Sequence, residues 1–83
     1  MFKNMKIAIN DQQPLDEVVM ELKRLGCWFN MDDGNNKQAK WILVMGDRYD
    51  IYNNDRCVDG DWCKLTTLSE LRSMNIETLK EME

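Results

Sequence analysis

The chain has 83 residues, of which 43% are hydrophobic and 31% are charged, a balance typical of one small globular domain covering residues 1–83. Its formal net charge is −4 and its basic residues are scattered, so direct binding to nucleic acid is not expected, since that function needs a basic footprint. The chain contains no histidine, which excludes Ser-His-Asp and Cys-His catalysis and any imidazole metal ligand.

Hydropathy and cysteine content favour an intracellular protein. No stretch approaches the roughly 18 consecutive apolar residues of a membrane span. The N-terminal MFKNMKIAIN lacks the long apolar run and small-residue cleavage site of a secretory signal. Three cysteines, Cys27, Cys57 and Cys63, are an odd number for a secreted disulfide framework. We therefore expect a cytoplasmic protein with free thiols, no membrane association, and Cys27 as a small buried hydrophobic residue.

The N-terminal third of the sequence predicts a strand followed by a helix. Alternating apolar residues over 5–9 predict the strand. The helix signal is one apolar stripe at helical spacing, formed by Leu15, Val18, Val19, Leu22 and Leu25. Two acidic residues lie in the first turn of this helix and two basic residues in its last turn, which complements the helix dipole. Gly26 then predicts the C-terminal stop of the helix.

Strand signals dominate the middle of the sequence. Residues 27–30 predict a short strand, and the apolar run 40–45 predicts a central one. Gly46-Asp47 fits a two-residue type II′ hairpin, which would pair 40–45 with 48–53 in the antiparallel direction. Residues 62–65 are a candidate for a last short strand.

A second helix is predicted near the C-terminus. Thr67 and Glu70 form a capping-box pattern, so this helix should begin after Thr67, and residues 76–83 should form a weakly ordered acidic tail. The order is then β-α-β-β-β-(β)-α. It predicts an α+β domain in which a small, mostly antiparallel sheet of three to five strands packs against two helices.

The stretch from 47 to 63 is the richest in chemically versatile side chains, but it fails the tests for a metal site. An EF-hand alignment starting at Asp55 puts Cys57 where a hard oxygen ligand is needed and Thr66 where the bidentate glutamate belongs. The three cysteines lack the spacing of a zinc knuckle. Each of the four glycines is isolated, so no phosphate-binding loop is predicted. We expect no metal, no cofactor and no enzymatic activity.

The same stretch favours a surface that binds another protein. Residues 47–61 contain five aspartates and two arginines, which gives −3 of the net charge of −4. Aromatic side chains beside acids are typical of protein-binding surfaces, and a basic partner surface would complement them. A solvated loop is the alternative interpretation. The candidate partner-binding residues are Asp47, Asp50, Tyr52, Asp55, Asp59, Asp61 and Trp62.

A second hypothesis comes from a different functional class. Trp28 or Trp62 could stack on the ring of a small molecule, such as a nucleotide signal, in a homodimeric sponge or sensor. Its weakness is the shortage of clustered cations to hold phosphates.

Four segments together resemble a broad group of small, mostly uncharacterised bacteriophage accessory proteins. They are KIAI (6–9), LKRLGCWF (22–29), WILV (41–44) and LTTLSELRSM (65–74). The resemblance implies a phage protein that acts in the cytoplasm of the host cell. It also implies a function of binding and inhibiting a host protein, for example in a CRISPR or restriction defence. The shared motifs are structural and carry no catalytic residue.

Overall fold

The computed structural model describes residues 4–32, 39–55 and 62–74. The elements in chain order are β1 (Met5–Ala8), α1 (Leu15–Arg24), β2 (Trp28–Asp32), β3 (Trp41–Met45), β4 (Arg48–Tyr52), β5 (Lys64–Leu65) and α2 (Leu68–Ser73). This order confirms the predicted α+β class and the predicted succession of elements. The acidic tail predicted over residues 76–83 lies outside the described residues.

The five strands form one sheet in the order β2-β4-β3-β1-β5. Strand β3 pairs antiparallel with both β1 and β4, whereas β2 runs parallel to β4 and β5 runs parallel to β1. The sheet is therefore mixed, and the expectation of a mostly antiparallel sheet is wrong. Only the two-residue β3–β4 hairpin forces an antiparallel direction; the longer connections that lead to β2 and β5 permit either one.

Two glycines set the ends of elements through a positive φ. Gly46 has φ +66°, whereas Asp47, the second residue of the turn, does not have a positive φ. A positive φ at the first central residue alone is the pattern of the predicted type II′ hairpin. Gly26 has φ +91° and follows α1. The Cys27 N–H donates to the Leu22 carbonyl and the Gly26 N–H to the Lys23 carbonyl. These two bonds form a Schellman motif, which ends the helix where the sequence predicts.

One hydrophobic core lies between the sheet and both helices. The sheet contributes Met5, Ile7, Ile42, Val44, Tyr49 and Ile51, the helices contribute Val18, Leu22, Leu68 and Leu71, and Leu25 joins from the C-cap of α1. Cys27 is buried in the same core, which confirms its expected role. Leu43 and Asp50 alternate with core residues in their strands, so they point to the opposite face, on which the described residues place no helix.

Helix α2 is short and is held by side chains from elsewhere in the chain. The predicted capping box is present: the Glu70 N–H donates to Thr67 Oγ1, and the Thr67 N–H donates to Glu70 Oε1. Gln13 joins β1 to α2, because its amide donates to the Ala8 carbonyl and accepts from the Leu68 N–H. No described helix is long and apolar enough to cross a membrane.

Candidate functional site

The described residues of the predicted acidic surface do not gather into one cluster. Asp47 and Asp55 are both exposed, but they flank opposite ends of β4, a strand about 16 Å long. The Asp55 carboxylate accepts a hydrogen bond of 2.8 Å from the Trp41 indole. Trp62 is 47% exposed and precedes β5, which lies three strand spacings, about 14 Å, from β4. Asp59 and Asp61 lie outside the described residues.

Asp50 does not contribute to an exposed surface, contrary to the sequence interpretation. It is 4% exposed, and its carboxylate accepts a hydrogen bond of 2.8 Å from the Asn30 amide of β2. A buried carboxylate needs such a donor, so Asp50 ties β2 to β4. Tyr52 is half-buried and lies opposite Trp41 in the β3–β4 pairing.

The most exposed apolar element of the described chain is β2, at one edge of the sheet. Four of its five residues are exposed, including Trp28 at 49%, Phe29 at 49% and Met31 at 38%. Within the described ranges no strand pairs with the outer side of β2. We call this outer side, with the side chains of Trp28, Phe29 and Met31, the β2 edge.

The backbone of the β2 edge presents hydrogen-bonding groups to solvent. The Trp28 N–H donates to the Asp47 carbonyl at 2.9 Å, so Trp28 points its backbone groups toward β4. Backbone groups alternate in direction along a strand, so Phe29 points its N–H and C=O outward. A register shift between Phe29 and Met31 then interrupts the ladder. The side chains lie on both faces, since Phe29 pairs with core residue Tyr49 and Trp28 pairs with Arg48.

Beside the β2 edge, an open groove of about 500 Å³ runs between α1 and the sheet. Its strand side is formed by Phe29, Tyr49 and Ile51. Its helix side is formed by Leu15, Asp16, Val19 and Lys23. We call this feature the α1 groove. Apolar side chains form its floor and two opposite charges lie along its helix side.

Tyr49 and Phe29 form the aromatic part of the groove. Their rings meet edge to face, with centroids 5.8 Å apart and an interplanar angle of 65°, a favourable arrangement for two aromatic rings. Tyr49 is 3% exposed, whereas Phe29 is half exposed. Burial, followed by the neighbouring Cys27 thiol, raises the pKa of Tyr49 above its ordinary value of 10.0, so its hydroxyl stays protonated at neutral pH.

The two described cysteines are buried free thiols. Burial, assisted by the Asp47 carboxylate, raises the pKa of the Cys27 thiol from 9.0 to about 12. Burial also raises the pKa of Cys63, although Lys6 opposes it. Since the thiolate is the reactive form, both thiols are poor nucleophiles at neutral pH. Over residues 4–32, 39–55 and 62–74, no three Cys, Asp or Glu side chains come together as a metal-binding group.

Sequence reasoning missed both the β2 edge and the α1 groove. The signal for the edge is the sequence WFNM, where large apolar residues occur without the alternation of a half-buried strand. The sequence carries no comparable signal for the groove: Met20 lies outside the apolar stripe of α1 and is 63% exposed, but it does not line the groove. An exposed apolar residue on a helix is common by itself. Its meaning here depends on the neighbouring strands, which the sequence does not place.

Comparison with known proteins finds no match: no protein-family model matches the chain, and no curated protein or solved structure is significantly similar to it.

Proposed function

We propose that this protein is a non-enzymatic binding module whose β2 edge takes up an extended segment of a partner protein as a sixth strand of the sheet. The observation that supports this most directly is the exposure of β2, with Trp28, Phe29 and Met31 open to solvent beside outward backbone groups. Exposed apolar edge strands readily pair with other chains, and natural proteins usually protect them. In strand addition, main-chain hydrogen bonds supply affinity and side-chain contacts supply specificity.

The charge of the molecule favours a partner segment that is both apolar and basic. The chain carries a net charge of −4. Asp47 is exposed at the start of the β2 edge, where its carbonyl accepts from Trp28. An added strand that places lysine or arginine near Asp47, and apolar side chains against Trp28 and Met31, would complement both features.

The resemblance to phage accessory proteins extends this proposal to the biological setting. On that basis the partner is a protein of the bacterial host, such as a component of a CRISPR or restriction system, which the bound module inhibits. The homodimeric nucleotide sponge or sensor stays a prediction, in which Trp28 or Trp62 would stack on the ligand.

The test is affinity capture of the partner from a bacterial host lysate with tagged wild-type protein and with the double variant Trp28→Lys/Met31→Lys. Lysine on an edge strand opposes the approach of another strand, and the two added charges also repel a basic segment. We expect the double variant to lose the captured protein, because both substitutions lie on the β2 edge. Quantitative mass spectrometry of the eluates measures the loss.

The matched control is Leu65→Lys, because Leu65 is 59% exposed on β5 at the opposite edge of the sheet. This control should capture the same partner as the wild type. Melting curves of all three proteins establish that the surface substitutions leave the fold intact, with changes of about 0.5 kcal/mol or less each. Equal capture by the double variant and the wild type would rule out strand addition at β2. A small molecule that stays bound to the wild type in native mass spectrometry would favour the sponge instead.

A further inference from the structure

Helix α1 has two different flanks. On one flank, Glu17 pairs with Arg72 of α2 at 3.1 Å, and Arg24 donates to the carbonyls of Leu71 and Met74. This flank is covered by α2. The other flank carries Asp16, Val19 and Lys23 along the α1 groove. In the described chain no helix covers that side, so the helix layer is filled on one side of α1 only.

The uncovered space has about the width of one helix. The groove lies over β4 and β2, the two strands farthest from β5. Neighbouring strands are about 4.8 Å apart, so two strands span about 10 Å, which is close to both the diameter of a helix and the usual distance between packed helices. A second helix can therefore lie beside α1.

The charges on the open flank are self-complementary. Asp16 and Lys23 are both exposed, and neither forms an ion pair with another described residue. They are seven residues apart, about 10 Å along the helix axis. If the same flank of a second copy approaches in the antiparallel direction, each aspartate meets the lysine of the other copy. In the parallel direction, like charges would meet instead.

The apolar residues of the flank fall at the centre of this arrangement. The midpoint between Asp16 and Lys23 lies between Val19 and Met20, and Met20 is 63% exposed. Spacings of three and four residues put Met20 on the same side of the helix as Asp16 and Lys23. An isologous interface needs a patch that complements itself, and this patch does so, with apolar residues near the two-fold axis and opposite charges at equal distances from it.

We propose that a second copy of this chain covers the α1 groove, with the two α1 helices antiparallel across a two-fold axis between residues 19 and 20. Two reciprocal ion pairs join Asp16 of each copy to Lys23 of the other. Met20 of each copy packs against Val19 of the other and toward the half-exposed Phe29. Phe29 belongs to both the α1 groove and the β2 edge, whereas Trp28 and Met31 pair with Arg48 and Asp50 on the other face of the sheet, so their side chains stay outside this interface.

The test measures the dimer dissociation constant of the purified chain by sedimentation equilibrium. We expect the wild type to sediment as a dimer with about twice the 9.9 kDa chain mass. Added salt should weaken dimerisation, because the ion pairs of the interface are partly exposed. Lys23→Asp places two pairs of like charges in the interface and should weaken the dimer on the order of tenfold or more. The double swap Asp16→Lys/Lys23→Asp restores both ion pairs in reverse and should restore dimerisation.

Lys40→Asp is the matched control, because it makes the same charge change at an exposed residue outside the groove, and it should dimerise like the wild type. Circular dichroism verifies that each variant is folded. A wild-type monomer at its highest soluble concentration would overturn this interface, as would a dimer that is indifferent to Lys23→Asp or a double swap that does not restore it. Dimerisation needs no foreign partner and should survive in Trp28→Lys/Met31→Lys, so the interface and the binding function can fail independently.

Discussion

Cys27 shows how one buried side chain makes the stability of this protein depend on pH. Its thiol follows the end of α1 and is 5% exposed within the core. Burial and the nearby Asp47 carboxylate raise its pKa from 9.0 to about 12. The folded chain therefore keeps a proton that the unfolded chain releases above pH 9. The stabilising contribution of the neutral thiol is complete below pH 9 and is lost as the pH rises toward 12.

We predict that Cys27→Val removes this contribution to alkaline sensitivity. Valine fills a similar volume and does not titrate, so the variant should match the wild type at pH 7 to within about 1.5 kcal/mol. Between pH 7 and pH 10 the wild type should lose about 1.4 kcal/mol of unfolding free energy relative to the variant. Urea unfolding at pH 7 and pH 10 measures both values. A constant difference between the two proteins across this range would show that the thiol does not titrate as its burial implies.

Among the elements, α2 shows how a short helix depends on its caps. It has six residues, too few for a helix that is stable alone. The first three backbone N–H groups of a helix have no carbonyl partner within it. In α2 two of these groups donate to side chains, the Leu68 N–H to Gln13 and the Glu70 N–H to Thr67. Arg24 binds the carbonyls of Leu71 and Met74 at the other end. The helix is thus held by residues of other segments at both ends.

We predict that Thr67→Ala lowers the unfolding free energy by about 1 kcal/mol, because it removes the acceptor for the Glu70 N–H. The matched control is Ser69→Ala, an exposed hydroxyl two residues further along that caps no backbone group in the described structure. It should change stability by less than about 0.5 kcal/mol. Chemical denaturation of the two variants makes the comparison. Equal losses would mean that the capping box contributes nothing specific.

The two edge strands of the sheet also differ as elements. Strand β5 has two residues and β2 has five. Short edge strands offer little backbone for another chain to pair with, so β5 is protected by its length. Strand β2 has neither that protection nor a charged side chain among its first four residues. Of the two edge strands, β2 therefore pairs more readily with another chain.

For the whole molecule, the sequence was sufficient to predict features with local causes. The Thr67–Glu70 capping box, the Gly26 helix end and the Gly46 hairpin each depend on residues within a few positions of one another. The parallel pairing of β2 with β4 was not predictable, because it joins segments about 20 residues apart through connections that permit either direction. The burial of Asp50 follows from the same pairing, since its donor Asn30 comes from β2. Both the β2 edge and the α1 groove arise from this long-range packing.

The central claim is that β2 gains a new strand when the partner binds, and hydrogen exchange at two neighbouring amides tests it most directly. The Phe29 N–H points outward, so it should exchange rapidly in the free protein. The Trp28 N–H is bonded to the Asp47 carbonyl, so it should be protected both in the free protein and in the complex, and it serves as the internal control. In the complex with the captured partner, NMR-detected exchange should show new protection of the Phe29 amide. A Phe29 amide that exchanges equally fast with and without the bound partner would contradict strand addition.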